Sequence, residues 1–212
     1  MTTTAPVTYE AALTEFLELM AFDPPEIKAE WPRIKKTFDT WGITAEDIVE
    51  GTARARRYYD LSLKGVRLLL NIYIRELCNL TLCGEEKEKR IYTVMPCNIG
   101  DLITAFSMVH PNCYAGFPDF YAFLTLGTLF RKTGKYMDIA ERGFMYPGEG
   151  HCTCNMLRQA ALFEGKYPKP DVIVTYSHYC DEAWKTEEFI NAYLGVPYVV
   201  VDRTQDDPWA NG

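Results

Sequence analysis

Apolar positions in the first ninety or so residues recur with the 3.6-residue period of helices that turn one face to a core. A first helix starts near Thr8 and carries Leu13, Phe16, Leu17 and Met20 on one side. Asp23-Pro24-Pro25 is expected to break it, because proline lacks an amide proton and restricts its predecessor. A second helix is predicted from near Trp31, with Pro32 in its first turn, to Gly42, a residue suited to a helix stop. Thr44-Ala45-Glu46-Asp47 resembles a capping box and opens a long helical stretch. Its expected buried stripe is Leu61, Val66, Leu69, Leu70, Tyr73, Ile74 and Leu77, and Gly84 is its expected stop. The charged run from Glu85 to Arg90 reads as a solvated hinge.

From Arg90 onward the pattern changes. Ile91 to Met95, Asp171 to Tyr176 and Val196 to Asp202 are short runs rich in strand formers. Runs apolar on both faces belong to buried parallel strands. Helical patterns lie between them, over about 99–108, 121–131, 155–164 and 182–194. This alternation predicts an α/β lobe over 89–212, an open parallel sheet with flanking helices of Rossmann or flavodoxin type. A helical N-terminal segment over 1–88 precedes it.

Composition narrows the classes. The 212 residues are 48% hydrophobic and 24% charged, ordinary values for a globular chain. A net charge of −7 argues against a binder of nucleic-acid backbones. No run of about 18 apolar residues occurs, so no membrane span is expected. The first residues carry no basic start and apolar block, so no export signal is expected. Seven cysteines in such a chain point to reduced thiols in the cytoplasm.

Those cysteines divide by position. Cys78, Cys83 and Cys113 read as small buried hydrophobes. Cys97 and Cys180 instead follow predicted strands, and Cys152 and Cys154 lie directly before a predicted helix. In an open α/β sheet, ligands bind where loops gather at the carboxyl ends of the strands. A helix N-terminus also favours thiolate, the form that ligates metal. The layout therefore predicts soft ligands converging at one sheet edge. Zinc is an open alternative, since His151, Cys152, Cys154, His178 and Cys180 offer nitrogen and sulfur, although their spacings are not those of a zinc knuckle. A structural role without metal is also open. Glu149, His151 and His178 are candidate proton carriers beside the cysteines. Arg158 suits a phosphate contact or a surface ion pair, and Tyr114, Phe117, Phe120 and Tyr121 suit an acyl pocket or the core. The chain has no Gly-x-Gly-x-x-Gly, phosphate-binding Gly-Lys-Ser/Thr loop or Gly-x-Ser-x-Gly elbow.

One ordered set of motifs is more specific. It comprises His151-Cys152-Thr153-Cys154 ahead of Arg158, Lys169-Pro170-Asp171 opening a strand, Tyr179-Cys180-Asp181, and Gly195-Val196-Pro197 opening a strand that ends at Asp202. This order resembles the benzoyl-CoA reductase and 2-hydroxyacyl-CoA dehydratase family, over roughly residues 90–203. Ile91 to Pro96 leading into Asp101, with Tyr114-Ala115-Gly116-Phe117, is similar to the benzoyl-CoA reductase branch. The resemblance implies a [4Fe-4S] cluster, an ATP-hydrolysing activator protein as electron donor, an acyl-CoA substrate and a homologous partner subunit. Carried over by motif, Cys154 takes the first ligand position with Cys152 as its alternative, and Cys180 the second. The family's third cysteine lies beyond Cys180, where this chain has none, and Cys97 is the replacement that the strand layout offers. The chain is shorter than family members usually are, which fits one lobe of a split protein, a truncated chain or a scaffold subunit without a full cluster.

Overall fold

The computed structural model describes residues 8–93, 100–143, 152–176 and 181–201. Its elements are mostly helical, with a small parallel sheet flanked by helices, broadly α/β. The chain divides into two compact units: Met1–Leu82 with Tyr121–Gly134, and Cys83–Phe120 with Lys135–Gly212. No helix among the described residues is long and apolar enough to cross a membrane.

In the first unit, α1 (Tyr9–Leu19) is capped by the Thr8 hydroxyl, which accepts from the Ala11 amide. Asp23-Pro24-Pro25 starts a helix rather than only ending one. The Asp23 carboxylate and Glu26 form a capping box, both prolines occupy the opening turn, and α2 runs over Pro24–Trp41 with Pro32 inside it. Proline costs nothing in a first turn, where its missing donor has no intrahelical partner. Gly42, at φ 66°, closes α2 in the left-handed conformation that glycine tolerates. The Thr44–Asp47 capping box opens α3 (Ala45–Tyr58). The expected long helix is broken there, and α4 (Lys64–Glu86) begins afresh, leaving Leu61 between them. Leu70, Ile74 and Leu77 are buried as expected, but Leu69 is exposed. Gly84 does not stop α4. An added Cβ there would meet Pro168 at 2.9 Å, so the glycine serves close packing.

The expected helix over 121–131 is instead a short α6 (Pro118–Ala122) followed by a π-helical turn over Phe123–Phe130. The wider turn buries Thr125, Leu126, Leu129 and Phe130. Phe130 packs against Phe16 and Phe38, with ring centroids 5.6 and 5.5 Å away.

In the second unit, β1 (Lys89–Thr93), β2 (Cys113–Gly116), β3 (Val172–Tyr176) and β4 (Tyr198–Val201) form an all-parallel sheet in the order β2-β1-β3-β4. Lys89 and Arg90 are strand residues aligned with Cys113 and Tyr114, not part of a solvated hinge. Asp171 ties β1 to β3: its carboxylate accepts from the Arg90 amide at 2.8 Å and pairs with the Arg90 guanidinium at 2.9 Å. Helix α5 (Gly100–Val109) links β1 to β2, and α9 (Asp181–Leu194) links β3 to β4. Between β2 and β3 lie α7 (Gly134–Gly143), which the apolar pattern does not announce, and α8 (Thr153–Phe163).

Candidate functional site

The directions of α8 and α9 follow from their contacts. Arg158 of α8 pairs with Glu187 of α9, and one and a half turns further on Phe163 packs against Phe189 and Tyr193 at 6.0 Å each. Residue numbers rise together, so the two helices run side by side in the same direction. Beyond α8, the Lys169 ammonium donates to the Leu194 carbonyl, capping the negative end of α9. A helix joining two parallel strands must run antiparallel to them, so α9 starts at the carboxyl edge of the sheet. The first turn of α8 therefore lies at that same edge. It holds Cys152 at the N-cap position and Cys154 one turn before Arg158.

The strand order adds a second reason to look there. From β1 the chain moves to β2 on one side, and from β3 to β4 on the other. The switch falls between β1 and β3, whose residues Thr93 and Val174 are paired. Crevices at such switch points are where open sheets bind ligands.

Cys152 and Cys154 are half-buried thiols, not a disulfide. Their sulfurs share a hydrogen bond, which together with burial pushes the Cys154 thiol well above the usual range. The negative charge of Asp119 pushes the same way, and Arg158 opposes it. The neighbouring thiol and burial therefore act against the thiolate that the helix N-terminus favours.

Beneath the pair lies a charged cluster absent from the sequence expectations. Arg158 is 2% exposed, and Glu187 and Asp119 are fully buried. Arg158 Nη1 donates to Glu187 Oε1 at 2.5 Å, while the Tyr167 hydroxyl donates to the Arg158 carbonyl at 2.6 Å. Burial opposes the charge of Arg158, but Glu187 and Asp119 hold it protonated. Burial raises the Glu187 carboxyl above its ordinary value, against the pull of Arg158. Arg158 is thus a buried partner of Glu187 and not a surface ion pair. Arg158 Nε and Nη2 and Glu187 Oε2 have no hydrogen-bond partner. The signal for the network is present in the sequence: Ala183, Glu187, Ile190 and Leu194 share one stripe of α9, so a carboxylate sits where an apolar residue belongs.

Of the other proposed site residues, Cys97, Glu149, His151, His178 and Cys180 lie outside the described residues. Among the described residues, no three His, Cys, Asp or Glu side chains are gathered around a common point. Cys78, Cys83 and Cys113 are buried, and desolvation pushes the Cys83 thiol to about 11. Tyr114 and Phe117 are core residues. A groove of about 560 Å³ between α1 and α2 is lined by Trp31, Ile27 and Glu18. Another of about 460 Å³, lined by Lys89, Phe106 and His110, opens at the amino ends of β1 and β2, opposite the cysteine edge.

No family model, curated protein or solved structure matches the chain.

Proposed function

We propose that the chain is the iron-sulfur subunit of an ATP-dependent, low-potential reductase or dehydratase acting on acyl-CoA thioesters, of the benzoyl-CoA reductase type, built on a flavodoxin-like lobe. The supporting observation is the Cys152–Cys154 contact on the first turn of α8, level with the first turn of α9, which directly follows Cys180 in the chain. The two described thiols, Cys152 and Cys154, are of the donor type that iron-sulfur clusters take. Cys154 and Cys180 would hold the cluster, with Cys152 and Cys97 as further ligands.

When bound there, such a cluster would supply single low-potential electrons. The chain's own residues would orient and protonate: Glu149, His151 and His178 are the proton carriers, Asp171 ties β1 to the start of β3, and Lys169 caps α9. The absence of a phosphate-binding loop assigns ATP to a separate activator protein, and a homologous subunit completes the site. The test is anaerobic reconstitution with iron and sulfide. The expected product is brown, absorbs near about 400 nm, and loses most of its iron in Cys154→Ser and in Cys180→Ser. Colourless, iron-free protein overturns the reading, and zinc in its place would make the site structural.

A second reading, a non-catalytic interaction subunit, is favoured by β4. This edge strand exposes Val199, Val200 and Val201 by 52, 41 and 36%. Open apolar edges invite strand pairing with another chain. That reading expects a tightly co-purifying partner and no metal.

A further inference from the structure

Arg158 follows Cys154 by four residues on α8, so the two lie on the same face. Helical side chains lean toward the N-terminus, which carries the guanidinium toward the cysteine turn. One end of that guanidinium is anchored by Glu187, while Nε and Nη2 are buried and lack any partner. A buried donor without an acceptor is destabilising, and more so on a charged group. Two such donors on a side chain 2% exposed, one turn below a pair of thiols, call for an anionic acceptor. Asp119, Glu187 and Tyr167 are the other ionisable groups acting on Arg158, and the two carboxyls outnumber its charge.

We propose that Arg158 is the positioning residue of the cysteine centre: its free N–H groups hydrogen-bond anionic sulfur of the group bound at Cys152 and Cys154, and so raise its reduction potential. This rests on the iron-sulfur reading above. A guanidinium favours the reduced, more negative state, and the buried carboxylate of Glu187 disfavours it. Hydrogen bonds to sulfur act in the same sense as the guanidinium.

The experiment is anaerobic reconstitution of wild type, Arg158→Met, Glu187→Gln and the double variant Arg158→Met/Glu187→Leu. Iron analysis is followed by a redox titration read by electron paramagnetic resonance. Arg158→Met is expected to keep its iron and to become harder to reduce by about tenfold in the equilibrium constant, about 59 mV for one electron. Glu187→Gln is expected to shift in the opposite direction. A misplaced charge in Arg158→Met can prevent folding, whereas the double variant removes both charges and isolates the lost hydrogen bonds. It too is expected to be harder to reduce than wild type. Potentials equal to wild type in iron-loaded variants, or shifts of the same sign for Arg158→Met and Glu187→Gln, overturn the assignment while leaving the cluster in place. A wild type that takes up no iron overturns the iron-sulfur reading, and the role of Arg158 falls with it.

Discussion

The two units fill their interiors differently. In the helical unit the largest fully buried side chains are apolar, with Phe16, Phe38, Leu13, Ile34 and Ile74 among them, and its buried polar residues are neutral. In the α/β unit every buried charged residue of the described chain is found: Asp119, Arg158 and Glu187. A hydrophobic interior stabilises in proportion to the apolar area removed from water. A buried ion pair often adds little net stability over well-packed apolar residues, so the two interiors are held by different means. The ion pair lies directly beneath the only described cysteines that are not buried.

The comparison can be broken by substitutions of matched severity. Phe16→Ala, which removes a ring packed on Phe38 and Phe130, is expected to destabilise the protein by about 3–5 kcal/mol in urea unfolding. Arg158→Met is expected to cost a similar amount, but for a different reason: it leaves Glu187 buried and unpaired. The double variant Arg158→Met/Glu187→Leu should recover most of that loss. A double variant as unstable as the single one would mean that packing, not charge, decides this site.

Acid and base distinguish the units further. In the helical unit, Asp47 is buried enough to raise its carboxyl, but Lys132 at 2.8 Å and the Thr44 cap outweigh burial and lower it. Its stabilisation is therefore present above the ordinary carboxylate value of 3.8 and is lost as pH falls through the lowered value. Glu187 has the opposite sign. Its folded form holds the proton more tightly than the ordinary 4.5, so its contribution is present below that value and declines as pH rises through the raised one. Asp47→Asn should flatten the acid limb of stability against pH, and Glu187→Gln the limb above 4.5. Both flattening the same limb would remove the contrast. The smallest expected effect is at Cys83, whose thiol at about 11 should resist alkylation at pH 8 in folded protein, whereas Cys152 should react first.

Legibility in the sequence followed the range of the interactions. Helix starts at Thr8 and Thr44 are set by hydrogen bonds within four residues, and both are where the pattern puts them. Asp23 is of the same kind, but two prolines read as an ending hide that they also suit a beginning. The strands at 172–176 and 198–201 are visible as apolar runs, β1 is visible only from Ile91 and starts two residues earlier in the charged run, and the four-residue β2 is too short to show a period. Leu69 and Leu70 illustrate a limit of periodicity, since adjacent leucines do not say which of them faces inward. The π-helical turn depends on what Phe130 meets in space, and no local pattern encodes that. At the site, the spacing of Cys152 and Cys154 was readable, but the burial that helps push the Cys154 thiol up was not, because it depends on tertiary packing. The pairing of α8 with α9 was likewise hidden in one charged residue on an apolar stripe.

The central claim of the proposed function is that Cys154, on the first turn of α8, and Cys180, which precedes α9 in the chain, serve one metal centre. The most direct measurement is treatment of a Cys97→Ser/Cys152→Ser variant with dibromobimane, a short bifunctional thiol reagent, followed by peptide mapping. A bridge between Cys154 and Cys180 that forms in native protein and disappears in urea is the expected result. Native protein in which each thiol is labelled singly, with no bridge between them, contradicts the account.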